Sequence, residues 1–351
     1  MRFKDSMPRT EAFLREHVRS GGAGSVAVLL GDGTGERWRF FAGGPGGEET
    51  RQNGKTLYDM MSVTKILTVA PLFHIAMEAG LVSPEDPLGR YFPEAPADKA
   101  GIPLWMLLSH CSGLDRYVYP EPMGPDRREE AIRFQLTHPL LFEPGTRYLY
   151  SCSGFVLLGF LLERLWNAPL DQLFAEKITG PLGMADTGFC PRETENIVEG
   201  TLKPPSGLIR CSDEINRRLY GVSGNAGAFS CLDDMARFGR SLLCGHPDLM
   251  RRETFELAAR DRTPSLSLGR ALGYVYADGR YGQGGGLYSD GTVGHTGFSG
   301  TECFADRKQG FFLVSLSNTS LYTAIRKQNC TAACAAFREG LHRAIKADLE
   351  E

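Results

Sequence analysis

The sequence predicts an α+β fold, with one α/β domain assembled from both ends of the chain (residues 1–80 and 200–351) around a mostly helical insertion at 81–199. Three observations point there. Strand-like runs lie near the start, at 25–30 and 37–41, and near the end, at 310–317. Helical periodicity dominates the stretch between them. After Gly200 the pattern returns to mixed helix and strand, and no internal repeat or low-complexity segment intervenes. The cleft between the two parts is where a site is expected.

Taken in order, residues 11–19 read as a short helix stopped by Gly21 and Gly22. Ser-Val-Ala-Val-Leu-Leu at 25–30 and Arg-Trp-Arg-Phe-Phe at 37–41 give a hairpin signal, joined by Gly31-Asp-Gly-Thr-Gly35. A turn then feeds a helix that starts at Ser62 and runs to about Gly80, with Ile66, Leu67, Val69, Ala70, Leu72 and Phe73 as its apolar body. Residues 81–88 hold two prolines and read as loop. Helical patterns follow at 103–109, 127–137 and 154–166, separated by loops rich in Pro and Gly. Residues 232–243 read as a helix, 271–276 resemble a strand, and 282–294 form a glycine-heavy turn region. A strong strand at 310–317 and a closing helix at 323–346 complete the chain.

Composition narrows the function. With 351 residues and 42% hydrophobic content the chain can bury an ample core. A formal net charge of −3, with no basic stripe or charged tail, argues against a nucleic-acid partner. No run approaches 18 uninterrupted apolar residues, so no membrane span is expected. The opening Met1-Arg-Phe-Lys-Asp-Ser-Met-Pro-Arg9 lacks the apolar run of a signal peptide, and the nine scattered cysteines then read as reduced thiols in a cytoplasmic protein. Cys330 and Cys334 share a face of the closing helix and read as small buried side chains. The histidines show no metal-ligand spacing, so no metal or other cofactor is expected. A small molecule is the expected partner, and the sequence leaves the oligomeric state open.

Three pieces carry chemistry. In Tyr58-Asp-Met-Met-Ser62-Val-Thr-Lys65, Ser62 and Lys65 are one helical turn apart on one face. A serine hydroxyl is a poor nucleophile at neutral pH and needs a neighbouring base. A lysine serves if its surroundings make the neutral amine available, and the helix N-terminus offers N–H groups for a developing oxyanion. In Gly145-Thr-Arg-Tyr-Leu-Tyr150-Ser-Cys152-Ser-Gly154, Tyr150 stands at the mouth of an apolar helix, where its hydroxyl can shuttle protons or simply pack. In Val293-Gly-His295-Thr296-Gly297-Phe298-Ser-Gly300, glycines allow a strand to approach a ligand closely, while Thr296 offers a hydroxyl and His295 a donor that is charged near neutral pH or a structural ring.

In this order the three resemble the motif set of the penicillin-recognising serine hydrolases: Ser-x-x-Lys, then Tyr-Ser-x, then His-Thr-Gly before a late strand. The branch most similar contains class C β-lactamases, D-alanyl-D-alanine carboxypeptidases, D-aminopeptidases and family VIII carboxylesterases. Leu107-Leu-Ser-His-Cys-Ser-Gly-Leu114, Pro181-Leu-Gly-Met-Ala-Asp-Thr187 and Gly224-Asn-Ala-Gly-Ala-Phe-Ser230 before Asp233-Asp-Met-Ala-Arg-Phe238 fit the same family, and the likeness spans about residues 10–340. It implies a β-lactamase/transpeptidase-like fold, an antiparallel sheet flanked by helices with an inserted all-α domain. It also implies Ser62 as acylated nucleophile, Lys65 as its base, and Tyr150 as the acid/base that protonates the leaving group and activates the deacylating water. The backbone N–H groups of Ser62 and Phe298 would form the oxyanion hole. His295 would steer a substrate carboxylate or support Tyr150, with Cys152, Thr296 and Gly297 lining the substrate site.

Two departures bear on substrate. Cys152 stands where the family's second motif carries asparagine, whose amide holds the acylamino group of a β-lactam or peptide; a thiol bonds far more weakly. His295 replaces the lysine of most authentic β-lactamases. Both shift the expectation toward a hydrolase of a small ester, amide or peptide. The alternatives are a β-lactamase or D-alanyl-D-alanine carboxypeptidase, a non-turnover acyl-binding sensor, and an acyltransferase or cyclase.

Overall fold

A computed structural model describes residues 3, 6–45, 51–116, 127–192, 196–198 and 211–350. Its centre is a six-stranded sheet in which all pairs are antiparallel, built from β1 (Ser25–Asp32), β2 (Gly35–Gly43), β6 (Val275–Ala277), β7 (Thr292–Thr296), β8 (Glu302–Asp306) and β9 (Phe311–Ser317). The order β2-β1-β9-β8-β7-β6 puts the first hairpin beside the last strand, so sequence from both ends meets in one sheet. In β1, Val28 faces Phe40 of β2 on one side and Ser315 of β9 on the other.

Side-chain alternation along the strands divides two cores. Val26, Val28, Leu30, Phe311 and Leu313 pack with Leu14 of the Pro8–Arg19 helix and with Phe337, Leu341 and Ile345 of the Cys330–Glu350 helix. On the opposite face Ala27, Leu29, Val314 and Leu316 join the larger core with the Leu232–Leu243 helix and the helical middle of the chain. Each fully buried aliphatic side chain contributes roughly 1.5–3 kcal/mol. The Leu232–Leu243 helix reaches the sheet closely because residue 239 is glycine; a Cβ there would stand 2.4 Å from the Phe312 ring.

The helical middle holds the expected helices at Leu104–Leu108, Arg127–Thr137 and Cys152–Trp166. It also contributes to a second small sheet in the order β3 (Tyr58–Asp59), β5 (Ala228–Ser230), β4 (Gly188–Phe189). Among the described residues no helix is long and apolar enough to cross a membrane.

Three elements differ from expectation. The helix predicted from Ser62 to Gly80 is a 3-10 turn (Met61–Val63), a short helix (Thr64–Leu67) and a longer one (Val69–Glu78). Pro71 supplies the reason: it has no N–H to offer, and its ring crowds the carbonyl four residues back, at Leu67. Thr68, at the break, turns its hydroxyl back onto Thr64 O at 2.7 Å. The closing helix is also two, Thr319–Ile325 and Cys330–Glu350, separated by Lys327 at φ 56°. Asn329 starts the second by accepting the Ala332 N–H at 3.1 Å. The strand expected at 271–276 is shorter and later, Val275–Ala277, because Gly273 takes a left-handed φ of 91°.

Candidate active site

Ser62 sits in the first turn after β3, where Met61 adopts φ 46°, costly for a residue with a side chain. Asp59 holds this turn. Its Oδ1 accepts the Met61 N–H at 3.0 Å and its Oδ2 accepts the Ser212 N–H at 2.7 Å. Burial pushes the Asp59 carboxyl up to about 6. The strained turn lifts Ser62 to a partly open position while Lys65 behind it is fully buried.

Lys65 Nζ has three polar neighbours: Asn225 O at 2.7 Å, Ser62 Oγ at 3.1 Å and Cys152 Sγ at 3.6 Å. It also stands 5.1 Å from the Tyr150 ring centre and 5.4 Å from that of Phe155. The buried lysine is tolerated because its Nζ has polar partners on several sides.

Tyr150 reaches the same serine from the segment before the Cys152–Trp166 helix, its hydroxyl donating to Ser62 Oγ at 2.7 Å. His110 sets that segment. Its carbonyl accepts the Leu149 N–H at 2.9 Å, its Nδ1 accepts the Ser151 N–H at 3.0 Å, and its ring lies 4.5 Å from the Tyr150 ring. Ser151 caps the helix by accepting the Gly154 N–H at 3.2 Å. Burial holds the Tyr150 hydroxyl well above its ordinary value, so the resting group is the phenol.

β7 brings the third motif to the cleft. Gly297 is required there: a Cβ would stand 2.9 Å from Met60 O and 3.4 Å from the Met61 Cβ. Phe298, 46% exposed, projects at the rim, and Thr296 is partly open. His295 differs from the charged donor that the sequence suggested. It is buried, and burial, with Arg270 and Lys65 nearby, holds it well below its ordinary value. Its Nδ1–H is spent on Thr296 O at 2.7 Å, so Nε2 presents a lone pair. The ring lies 6.1 Å from that of Tyr150, beside it rather than at the rim.

Cys152 is 2% exposed, and burial raises its thiol, leaving it neutral. The Asn225 amide lies against the Cys152 thiol; it donates Nδ2 to Asp213 Oδ1 at 3.0 Å, accepts from Ser223 Oγ at 2.6 Å and is fully buried.

Sequence reasoning missed two contributors. His110 lies in a quoted motif but carried no role, and Arg270 gave no local signal. Arg270, 4% exposed, donates to Tyr148 Oη at 2.6 Å, and its guanidinium carbon stands 5.9 Å from the Tyr150 ring centre. The Pro181–Thr187 motif does not reach the site. Thr187 Oγ1 bonds Asp234 Oδ2 at 2.8 Å and Ser230 Oγ at 2.7 Å, clamping the Leu232–Leu243 helix to the small sheet. Asp186, Cys231 and Asp234 bring three potential metal ligands together there, but Asp234 Oδ2 already accepts from Asp186 N and Thr187.

Residues 10–331 match the Beta-lactamase family. The chain is 26% identical over 356 aligned residues to the N-acetylmuramyl-L-alanine amidase of Bacillus subtilis (strain 168), which covers 88% of this chain and 80% of the relative. It is 28% identical over 244 residues to the D-alanyl-D-alanine-carboxypeptidase/endopeptidase AmpH of Escherichia coli (strain K12), covering 65% and 60%. Among solved structures, EstCE1, described as a hydrolase with promiscuous acyltransferase activity, superposes with a TM-score of 0.77 over 96% of this chain and 97% of the other at 20% identity, a likeness of fold. The family match over nearly the whole length, with the antiparallel sheet and the ordered motifs, makes this chain a member of the Beta-lactamase family of penicillin-recognising serine hydrolases.

Proposed function

We propose that this protein carries an acyl group on Ser62 Oγ and hydrolyses a small ester, amide or peptide. The observation that supports this best is the convergence on Ser62 Oγ of Tyr150 OH at 2.7 Å and Lys65 Nζ at 3.1 Å. In this reading neutral Lys65 takes the Ser62 proton as Oγ attacks the acyl carbon. The carbonyl electron pair moves onto oxygen, which faces the N–H groups of Ser62 and Phe298, donors worth roughly 3–4 kcal/mol each in related chemistry. Collapse breaks the bond to the leaving group, which takes its proton from Tyr150. The phenolate, eased by the nearby Arg270 and Lys65 cations, then removes a proton from water as that water attacks the acyl carbon. Ser62 departs with the proton held by Lys65.

Within this reading small esters rank ahead of β-lactams and D-Ala-D-Ala peptides. Cys152 is a buried neutral thiol, so the residue at the family's asparagine position offers the substrate no amide. The names of the amidase and AmpH relatives favour a peptide as the second reading, and EstCE1's description keeps acyl transfer to a nucleophile other than water in play. The test is turnover of p-nitrophenyl acetate and butyrate, nitrocefin and a D-alanyl p-nitroanilide by the native chain and by Ser62→Ala. Ester turnover that disappears in Ser62→Ala is expected. Nitrocefin as the fastest substrate would move the assignment to a β-lactamase, and no turnover of any of them would contradict the hydrolase reading.

A further inference from the structure

The Cys330–Glu350 helix turns Cys334, Arg338 and His342, one turn apart, toward the back of the segment that follows β7. Cys334 Sγ donates to Phe298 O at 3.2 Å, Arg338 Nη1 donates to Gly297 O at 3.2 Å, and His342 Nε2 meets Glu302 Oε1 at 2.8 Å. Glu302 lies opposite Thr296 in the β7–β8 pair. The Arg338 guanidinium is itself anchored, because its Nε donates to Gln283 Oε1 at 2.8 Å, and the residue is only 6% exposed.

The carbonyl of Gly297 and the N–H of Phe298 belong to one peptide unit. In a planar trans peptide these two groups point in opposite directions. A donor that holds the carbonyl from behind therefore sets where the N–H points in front. A charged donor also polarises the amide and strengthens its N–H as a donor. Among the described residues the Phe298 N–H has no acceptor of its own, which leaves it free for a ligand.

We propose that Arg338, anchored by Gln283, is a positioning residue that fixes the 297–298 peptide plane so that the Phe298 N–H faces the oxyanion formed at Ser62. This rests on the acyl-transfer reading above. The turn keeps a second hold on the same carbonyl, through Gly300 N–H at 3.2 Å, so loss of Arg338 loosens the plane without releasing it. The effect should therefore be smaller than the 10²–10³-fold typical of deleting an oxyanion donor, about tenfold in kcat.

The test compares an aryl ester with its thionoester, whose carbonyl sulfur accepts hydrogen bonds poorly, in the native chain, Arg338→Met and Gln283→Leu. Arg338→Met is expected to lower kcat for the oxo ester about tenfold with KM within about twofold, while thionoester turnover stays nearly constant. The preference for oxygen over sulfur then narrows by the same factor. Gln283→Leu should narrow it less, and it carries the test if Arg338→Met does not fold. A residue that only fastens the helix would lower both esters equally, and that result, or an unchanged preference, overturns the proposal. A native chain that cleaves neither ester and is not labelled on Ser62 by a fluorophosphonate overturns the hydrolase reading instead, and the role of Arg338 falls with it.

Discussion

Lys65 Nζ and Cys152 Sγ stand 3.6 Å apart, so the residue that departs from the family's second motif touches the lysine beside the nucleophile. A thiol in that place gives Lys65 a weak acceptor and gives a substrate no amide. Cys152→Asn is expected to raise kcat/KM for the D-alanyl anilide and nitrocefin about tenfold relative to p-nitrophenyl butyrate, the worth of one added hydrogen bond. Equal kcat/KM changes across all three substrates would remove Cys152 from substrate choice.

Tyr150 is held by its hydroxyl bond to Ser62 and by the His110 carbonyl and ring, and the backbone contacts do not need the hydroxyl. Tyr150→Phe should therefore lower kcat by roughly 10²–10⁴ while Tm moves by only a few degrees. Steady-state kinetics beside a thermal melt would separate the two. A tenfold loss or less would assign the proton transfers elsewhere.

Gly297 approaches Met60 and Met61 more closely than a side chain permits. Gly297→Ala is expected to push β7 away from the Ser62 turn, with roughly a hundredfold loss of kcat/KM and a destabilisation of about 1–3 kcal/mol. Urea unfolding with ester kinetics reads both. Full activity in that variant would mean that the segment after β7 takes no part in the reaction.

Much of this arrangement was legible because chemistry writes local patterns. The Ser62 and Tyr150 motifs, the strong last strand and the Leu232–Leu243 helix all stand where residue type and spacing put them. β8 was not legible. Its sequence, Glu-Cys-Phe-Ala-Asp, shows no alternation, because Glu302 and Asp306 are both buried by distant partners, His342 and Ser289. The strands of the small sheet are two or three residues long, too short for any period to register. Whether His295 is a charged donor or a structural ring stayed open in the sequence because burial, which decides its protonation, is a tertiary property. Arg270 reaches the site across 120 residues of sequence and leaves no trace in its own neighbourhood.

Buried histidines set the acid limit. Burial lowers His74 to about 4 and His246 to about 3, and holds His110 and His295 well below 6.5. The folded state thus binds fewer protons than the unfolded chain, and stability is lost as pH falls from 6.5 toward 4. Asp59, raised to about 6, acts in the opposite sense, losing its contribution as pH rises from 3.8 to about 6, and burial raises Asp234 as well, but these are two groups against five, since His17 is also lowered to about 4. The unfolding free energy should fall by more than about 2 kcal/mol between pH 7 and pH 5, measured by urea titration. A flat profile over that range would mean that these rings reach water.

The most direct measurement is intact mass spectrometry of the protein quenched within milliseconds of mixing with p-nitrophenyl butyrate, followed by peptide mapping. A mass gain of one butyryl group on Ser62, present in the native chain, accumulating in Tyr150→Phe and missing from Ser62→Ala, is the expected result. Turnover of the ester with no adduct on Ser62 in any variant, or an adduct on Cys152 or Lys65 instead, would contradict the Ser62 acyl-enzyme.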